Sequence, residues 1–104
     1  MIKAEQGDIL RIQGIGWPVI VVSNDRFNAI GEVIVCPILN NLSPNAIHLP
    51  VSVSAASGKI EGVIACEQIR HLDLNVRRYQ KLGSIFLDDF LDLSDTLIAL
   101  FEYR

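Results

Sequence analysis

Apolar residues fall in short runs over the first two thirds of the chain and then change to a helical spacing at its end. Asp8-Ile9-Leu10-Arg11-Ile12 is short, apolar-rich and closed by Gly14 and Gly16. Val19-Ile20-Val21-Val22 is a β-branched run after Pro18, and Ser23-Asn24-Asp25 ends it with turn chemistry. Such a run, bounded by turn signals, predicts a buried strand. Val33 to Ile38 predicts another. Proline cannot donate to a ladder, so Pro37 puts the outer end of that strand at an edge or bulge. Asn40 to Asn45 is a loop by composition. From Ile47 to Val53 the chain alternates: Ile47, Leu49, Val51 and Val53 face one way, His48, Pro50 and Ser52 the other. Ser54 to Gly58 turns the chain, and the next strand falls within Gly62 to Leu72, covering Val63 to Ile69. Lys81 to Ile85 adds a short one.

From Phe86 onward the period changes. Phe86, Phe90, Leu93, Leu97, Leu100 and Phe101 recur at three- and four-residue steps, which is the spacing of one helix face. Asp88 and Asp89 fall where the helix dipole favours negative charge. The pattern predicts a helix from about residue 87 to 102, packed on the sheet. A set of short strands with turn signals and one terminal helix predicts a mainly β chain, a small barrel closed by a helix.

At 104 residues the chain is one domain, 1–104, long enough to bury a single core. Half the residues are hydrophobic and 20% are charged, which fits a compact chain rather than a disordered one. No apolar run is long enough to span a bilayer, and Met1 to Asp8 is too polar for a signal peptide. The expected address is therefore the cytoplasm, with no membrane partner. Cys36 and Cys66 sit inside apolar runs and read as buried, reduced thiols. Histidines and cysteines are scattered at unrelated spacings, so no metal site is expected.

The net charge of −3 looks unfavourable for a nucleic-acid binder, but its distribution matters more. Residues 84–104 hold five acids against one arginine, a charge of −4, and residues 1–83 carry +1. Arg70, His71, Arg77, Arg78 and Lys81 form a local basic cluster, interrupted by Asp73. It is either a phosphate-binding face or an ordinary solvated loop.

Three pieces in order carry a resemblance: Gly7-Asp8 ahead of the first strand, Pro18 through Asp25, and Glu67-Gln68-Ile69-Arg70 followed by Leu72-Asp73. Together they resemble the MazF/PemK family of toxins from bacterial toxin–antitoxin pairs. The resemblance implies an SH3-like antiparallel barrel of the CcdB/PemK type with a C-terminal helix. It also implies a homodimer, a cognate antitoxin partner and cleavage of single-stranded RNA without metal or cofactor. In that chemistry the ribose 2′-hydroxyl attacks the adjacent phosphorus, leaving a cyclic phosphate and a free 5′-hydroxyl. The reaction needs a base near the hydroxyl, an acid near the leaving oxygen and positive charge for the phosphate.

The chain departs from the family's usual set at three places. The arginine position before Pro18 holds Trp17, the strand-end hydroxyl position holds Leu39, and the arginine position two before Glu67 holds Ala65. The loop between the first two strands is shortened to Gln13-Gly14-Ile15-Gly16. The catalytic expectation therefore moves to Glu67 as base, its pKa raised by partial burial at a strand end, with Arg70 facing the phosphate. A Glu67–Arg70 ion pair without chemistry is the alternative. Trp17, Arg11, Arg26, Gln68, His71, Arg77 and Arg78 are the expected RNA contacts. Trp17 would either stack on an unpaired base or cover the barrel end. His48 and His71 are further acid–base candidates, and Asp25 is expected to form a turn through its side chain.

The expected function is the toxin of a type II toxin–antitoxin system acting as an endoribonuclease. The alternative is a catalytically silent relative that works by binding protein, through antitoxin titration or gyrase poisoning. The related CcdB toxins end in Trp-Gly-Ile, whereas this chain ends Phe101-Glu102-Tyr103-Arg104, so the gyrase route has no residue support.

Overall fold

A computed structural model describes residues 3–56 and 58–102 of the chain. The elements run β1 (Asp8–Ile12), β2 (Val19–Val21), α1 (Asp25–Asn28), β3 (Glu32–Leu39), β4 (His48–Ala55), β5 (Gly58–Ala65), β6 (Arg70–Asp73), β7 (Tyr79–Ser84) and α2 (Leu87–Leu100). All strand pairs are antiparallel, in the order β4-β5-β3-β2-β1-β7, with β6 added on β3. The sheet curls until its two ends meet. A Cβ built on Gly83 of β7 would lie 3.6 Å from Val53 and 3.8 Å from Ala55 of β4. The result is the SH3-like barrel expected from the sequence, with α2 as its C-terminal helix.

The central strands explain the unbroken apolar runs. Side chains alternate across a strand, and both faces of β1, β2 and β3 are buried. Leu10, Ile12, Val19, Val21, Val33 and Val35 enter one core, joined by Leu72. Ile9, Ile20, Cys36 and Ile38 enter a second with Ile60, Ile64, Cys66 and Leu93. The outer strand β4 has only one buried face, so it alternates, and Leu49, Val51 and Val53 pack onto the second core as the pattern predicted.

β3 has two partners along one edge. Its first half pairs with β6 from Glu32↔Asp73 to Val35↔Arg70, and its end pairs with β5 at Ile38↔Ile64 and Leu39↔Val63. Pro37 stands where the partner changes. The Ile38 N–H points to β2, donating to the Pro18 carbonyl at 2.8 Å. Alternation of donors turns position 37 towards the gap between β5 and β6, where no donor is needed. Pro37 thus lies inside a central strand rather than at the outer end of an edge strand.

Other boundaries shift as well. Cys66 to Ile69 is a turn rather than part of a strand, and β5 begins at Gly58 instead of Val63. The expected turn at Ser54–Gly58 is shorter, since β4 continues to Ala55, and Ser57 lies outside the described residues. The turn after β2 becomes α1, with Asn24 as its N-cap: Asn24 Oδ1 accepts from the Phe27 N–H at 2.9 Å. Asp25 instead accepts from the Gln6 N–H at 2.7 Å. On α2, Leu93 is fully buried and Phe90, Leu97 and Leu100 pack on the core, but Phe86 and Phe101 are exposed. The terminal Tyr103 and Arg104 lie outside the described residues.

The opening Gly7-Asp8 is a structural joint. Gly7 has φ +90, a left-handed conformation that L side chains rarely adopt. Its N–H donates to Val21 O at 2.9 Å, and its carbonyl accepts from the Ile85 N–H at 3.0 Å. Asp8 is buried; its carboxylate accepts from the Glu5 N–H and the Ser84 hydroxyl and pairs with Lys81 at 3.2 Å. The pair therefore ties β1 to β2, β7 and the start of α2.

Candidate RNA-binding groove

Two adjoining hollows meet at Trp17 and Gln68. The larger, about 650 Å³, is built by Arg11 of β1, Gly16 to Pro18 of the β1–β2 loop, Ile38 to Asn41 at the end of β3, and Lys59 to Glu61 of β5. The smaller, about 290 Å³, is walled by Ile15, Val19, Val35, Pro37 and Ile69, with Arg70 at its side. Trp17 sits in the short loop closed by Pro18 and is 44% exposed, so it does not serve as core. Gln68 is presented by the Cys66–Ile69 turn, which is held by the Gln68 N–H on Ala65 O and the Cys66 N–H on Ile47 O, both at 3.1 Å.

Among the described residues, the side chains of Arg11, Trp17, Gln68 and Arg70 make no hydrogen bond or ion pair. Two free guanidinium groups, an open indole and an open carboxamide thus line one continuous groove. A guanidinium grips phosphate as a bidentate fork, and an indole stacks on bases. Lys59 and Glu61 also line the larger hollow and pair with each other at 3.3 Å. Sequence reasoning missed them because it began β5 too late. Their two-residue spacing on a strand, which puts them on one face, was the available signal.

The remaining expected contacts are scattered. Arg78 shares a shallow hollow with Arg11, Gln13 and Gln80 beside the groove. Arg77 donates to the Gln13 carbonyl at 3.4 Å. Arg26 lies on α1 and lines neither hollow. His71 is held by Glu32 at 2.6 Å and meets the Phe27 ring edge-on at 6.3 Å, also outside both hollows. With Lys81 paired to Asp8, the run from Arg70 to Lys81 is not one basic face.

Glu67 differs from expectation in its environment. It is exposed in the turn, and its carboxyl is held below the ordinary carboxylate range, first by the hydrogen bond from His48. Burial, the force expected to raise it, is slight and is outweighed. His48 Nε2 lies 2.8 and 3.1 Å from the two Glu67 oxygens. The tautomer follows from the neighbouring amide. Asn45 Oδ1 accepts from the Ile47 and His48 N–H groups, both at 2.9 Å, so its Nδ2 faces His48 Nδ1 at 3.1 Å and donates to it. His48 Nε2 therefore carries the proton and donates to Glu67. Both ring nitrogens of His48 are engaged inside the protein, which makes it a clamp on Glu67. Neither residue lines the groove, although the adjacent Gln68 does.

Cys36 and Cys66 are fully buried free thiols, as expected. Burial, reinforced by the nearby Cys66 and Glu67, pushes Cys36 up to about 12, far from a nucleophile's range. Among the described residues, no three His, Cys, Asp or Glu side chains come together as a metal site.

Comparison with known proteins gives this geometry a context. The family described as PemK-like, MazF-like toxin of type II toxin–antitoxin system matches residues 6–101. The endoribonuclease toxin ChpB of Escherichia coli (strain K12) is 31% identical over 91 residues, covering 76% of this chain and 78% of that protein. Among solved structures, MazF in a MazE–MazF crystal from Deinococcus radiodurans superposes with a TM-score of 0.83 at 20% identity, covering 96% of this chain and 97% of that one. An endoribonuclease in complex with its cognate antitoxin, from a Mycobacterial species, gives 0.79 at 16% identity, covering 97% and 99%. These two likenesses establish the fold, and the matches over residues 6–101 and to ChpB establish the lineage. The chain belongs to the PemK-like, MazF-like family of toxins of type II toxin–antitoxin systems.

Proposed function

We propose that the chain is an endoribonuclease that cuts single-stranded RNA without a metal, as the toxin of a toxin–antitoxin pair. The observation that carries this reading is the groove that Arg11 and Arg70 line on either side of exposed Trp17 and Gln68. The family relation to an endoribonuclease toxin supports it. In the proposed reaction the 2′-hydroxyl oxygen bonds to phosphorus as the bond to the 5′-oxygen breaks, and that oxygen takes a proton from solvent water to leave as the 5′-hydroxyl. Glu67, which stands next to Gln68 just outside the two hollows and is ionised and held by His48, accepts the hydroxyl proton from an RNA strand that passes over the Cys66–Ile69 turn. Arg70 faces the charge that develops on the phosphate. A lowered pKa makes Glu67 a weaker base than a buried carboxyl but keeps it ready at neutral pH.

The test is induced expression followed by mapping of RNA 5′ ends. New 5′-hydroxyl ends are expected. Arg70→Ala is expected to slow cleavage by about 100-fold or more, and Glu67→Gln to abolish most of it. Cleavage that persists in Glu67→Gln removes Glu67 as the base.

A second reading, protein binding without cleavage, is favoured by one observation. Two of the three substituted family positions, Trp17 and Leu39, line the larger hollow with side chains that carry no charge. Growth arrest without new RNA ends would select it.

The proposed partners are a cognate antitoxin and a second copy of the chain. Relatives crystallised as MazE–MazF and as an endoribonuclease with its antitoxin support the first. The exposed Leu87, Leu91 and Ile98 along α2 support the second. Sedimentation of a monomer at high concentration would remove the second copy. Among the described residues no helix is long and apolar enough to cross a membrane. We place the chain's action in the cytoplasm, and recovery with the membrane fraction would overturn that.

A further inference from the structure

Trp17 and Gln68 are the two residues common to both hollows, so they form a partition inside the groove. The two sides differ in chemistry. The larger hollow holds Arg11, Lys59 and Glu61 together with the amides of Asn40 and Asn41. The smaller has aliphatic walls from Ile15, Val19, Val35 and Ile69, and its polar side-chain groups come from Gln68, Arg70 and the Trp17 indole N–H. A nucleobase has that distribution turned outward: flat apolar faces and an edge of donors and acceptors. Proteins that read single-stranded RNA bind such bases by stacking and by hydrogen bonds to the exposed edge. The Gln68 carboxamide offers one donor group and one acceptor, and nothing among the described residues engages either. Arg70 beside the small hollow and Arg11 in the large one place a free cation on each side of the partition. A phosphate on each side of one inserted base would meet them.

We propose that the smaller hollow is a pocket for a single unpaired nucleobase of the RNA. Trp17 is wedged between that base and its neighbour, and Gln68 reads the base edge. This rests on the reading of the groove as an RNA site. It assigns the position left by the family's arginine a different task, since an indole separates bases where a guanidinium would neutralise phosphate. Trp17 is then a specificity-determining residue, and Ile69, which is 38% exposed, sets the depth of the pocket.

The chain contains one tryptophan, so its intrinsic fluorescence reports on this partition alone. The full chain is titrated with a short 2′-O-methyl oligoribonucleotide, which cannot undergo 2′-hydroxyl attack. A matching oligonucleotide with abasic positions is the control, and the anisotropy of an end label follows binding independently. The expected result is strong quenching by the base-bearing strand and little quenching by the abasic strand at equal occupancy. Trp17→Ala is expected to weaken binding of the base-bearing strand roughly tenfold and to leave the abasic strand unaffected. Ile69→Phe, which fills the pocket, is expected to remove the quenching while circular dichroism stays unchanged. Equal quenching by both strands, or binding by anisotropy with no quenching, would overturn the pocket and leave the RNA groove standing. No binding by either measure would overturn both. A change of emission with protein concentration alone would show that a second copy covers Trp17, and would also overturn the pocket.

Discussion

Glu67 takes its character from one neighbour. The His48 Nε2–H donates to the ionised carboxylate, so the charged form is favoured and the pKa falls. A carboxyl whose folded pKa is lowered stabilises the fold fully above its unfolded value. That contribution disappears as pH falls through the folded value. The window thus lies on the acid side of an ordinary glutamate. In His48→Leu the donor is gone, and the Glu67 carboxyl is expected to titrate at a higher pH, measured by carbon NMR of its side chain. An unchanged titration would mean that His48 does not set the Glu67 charge. None of this was legible in the sequence. His48 and Glu67 are neighbours only because β4 and β5 pair His48 with Ala65 and the chain then turns at once. Its place directly after the apolar run Val63 to Cys66 suggested partial burial for Glu67, and that run carries no mark of the turn that exposes it.

Among the elements, α2 shows how periodicity informs and misleads. The helix was readable from its three- and four-residue steps, and its core residues Phe90, Leu93, Leu97 and Leu100 follow that spacing. Phe86 and Phe101 continue the same count but lie outside the helix at either end, beyond reach of the core. Leu93 is the fully buried anchor. Leu93→Ala is expected to cost about 2–5 kcal/mol, the usual range for a buried leucine that leaves a cavity, read from urea unfolding. A loss well below that range would mean that α2 docks loosely. The strands divide in the same way. β1, β2 and β4 were legible because their apolar positions match a pleat buried on both faces or on one. β6 was not, because Cys66 to Ile69 reads as a continuation of β5 while its backbone turns. Hydrophobicity carries no mark of that bend.

At the scale of the whole molecule, charge is segregated by element. Asp88, Asp89, Asp92 and Asp95 sit on α2, while Arg11 and Arg70 sit in the groove, so the net charge of −3 describes neither. Binding of RNA in the proposed groove is therefore expected to weaken with salt despite the acidic total. For single strands each phosphate contact contributes a slope of about 0.7 in log affinity against log salt. Arg11→Ala and Arg70→Ala are each expected to flatten the dependence by about that amount, measured with a non-cleavable strand. An unchanged slope would remove that arginine from the phosphate path. The barrel was readable as a class because short strands of this kind close on themselves. The groove was not, because its residues come from β1, the β1–β2 loop, β3, β5, the β5–β6 turn and β6, and only the register brings them together.

That register has one last consequence. The Cys66–Ile69 turn leaves β5 beside Ile38 and enters β6 beside Val35, so both of its footings stand on β3. It behaves as a short span resting on a single beam. Twisting of the outer strands moves both footings together and leaves the span's shape unchanged. Local openings begin where few contacts hold the chain, and this span is pinned at each end to a strand buried on both faces. Gln68 can therefore keep its place in the groove wall while the rest of the barrel breathes.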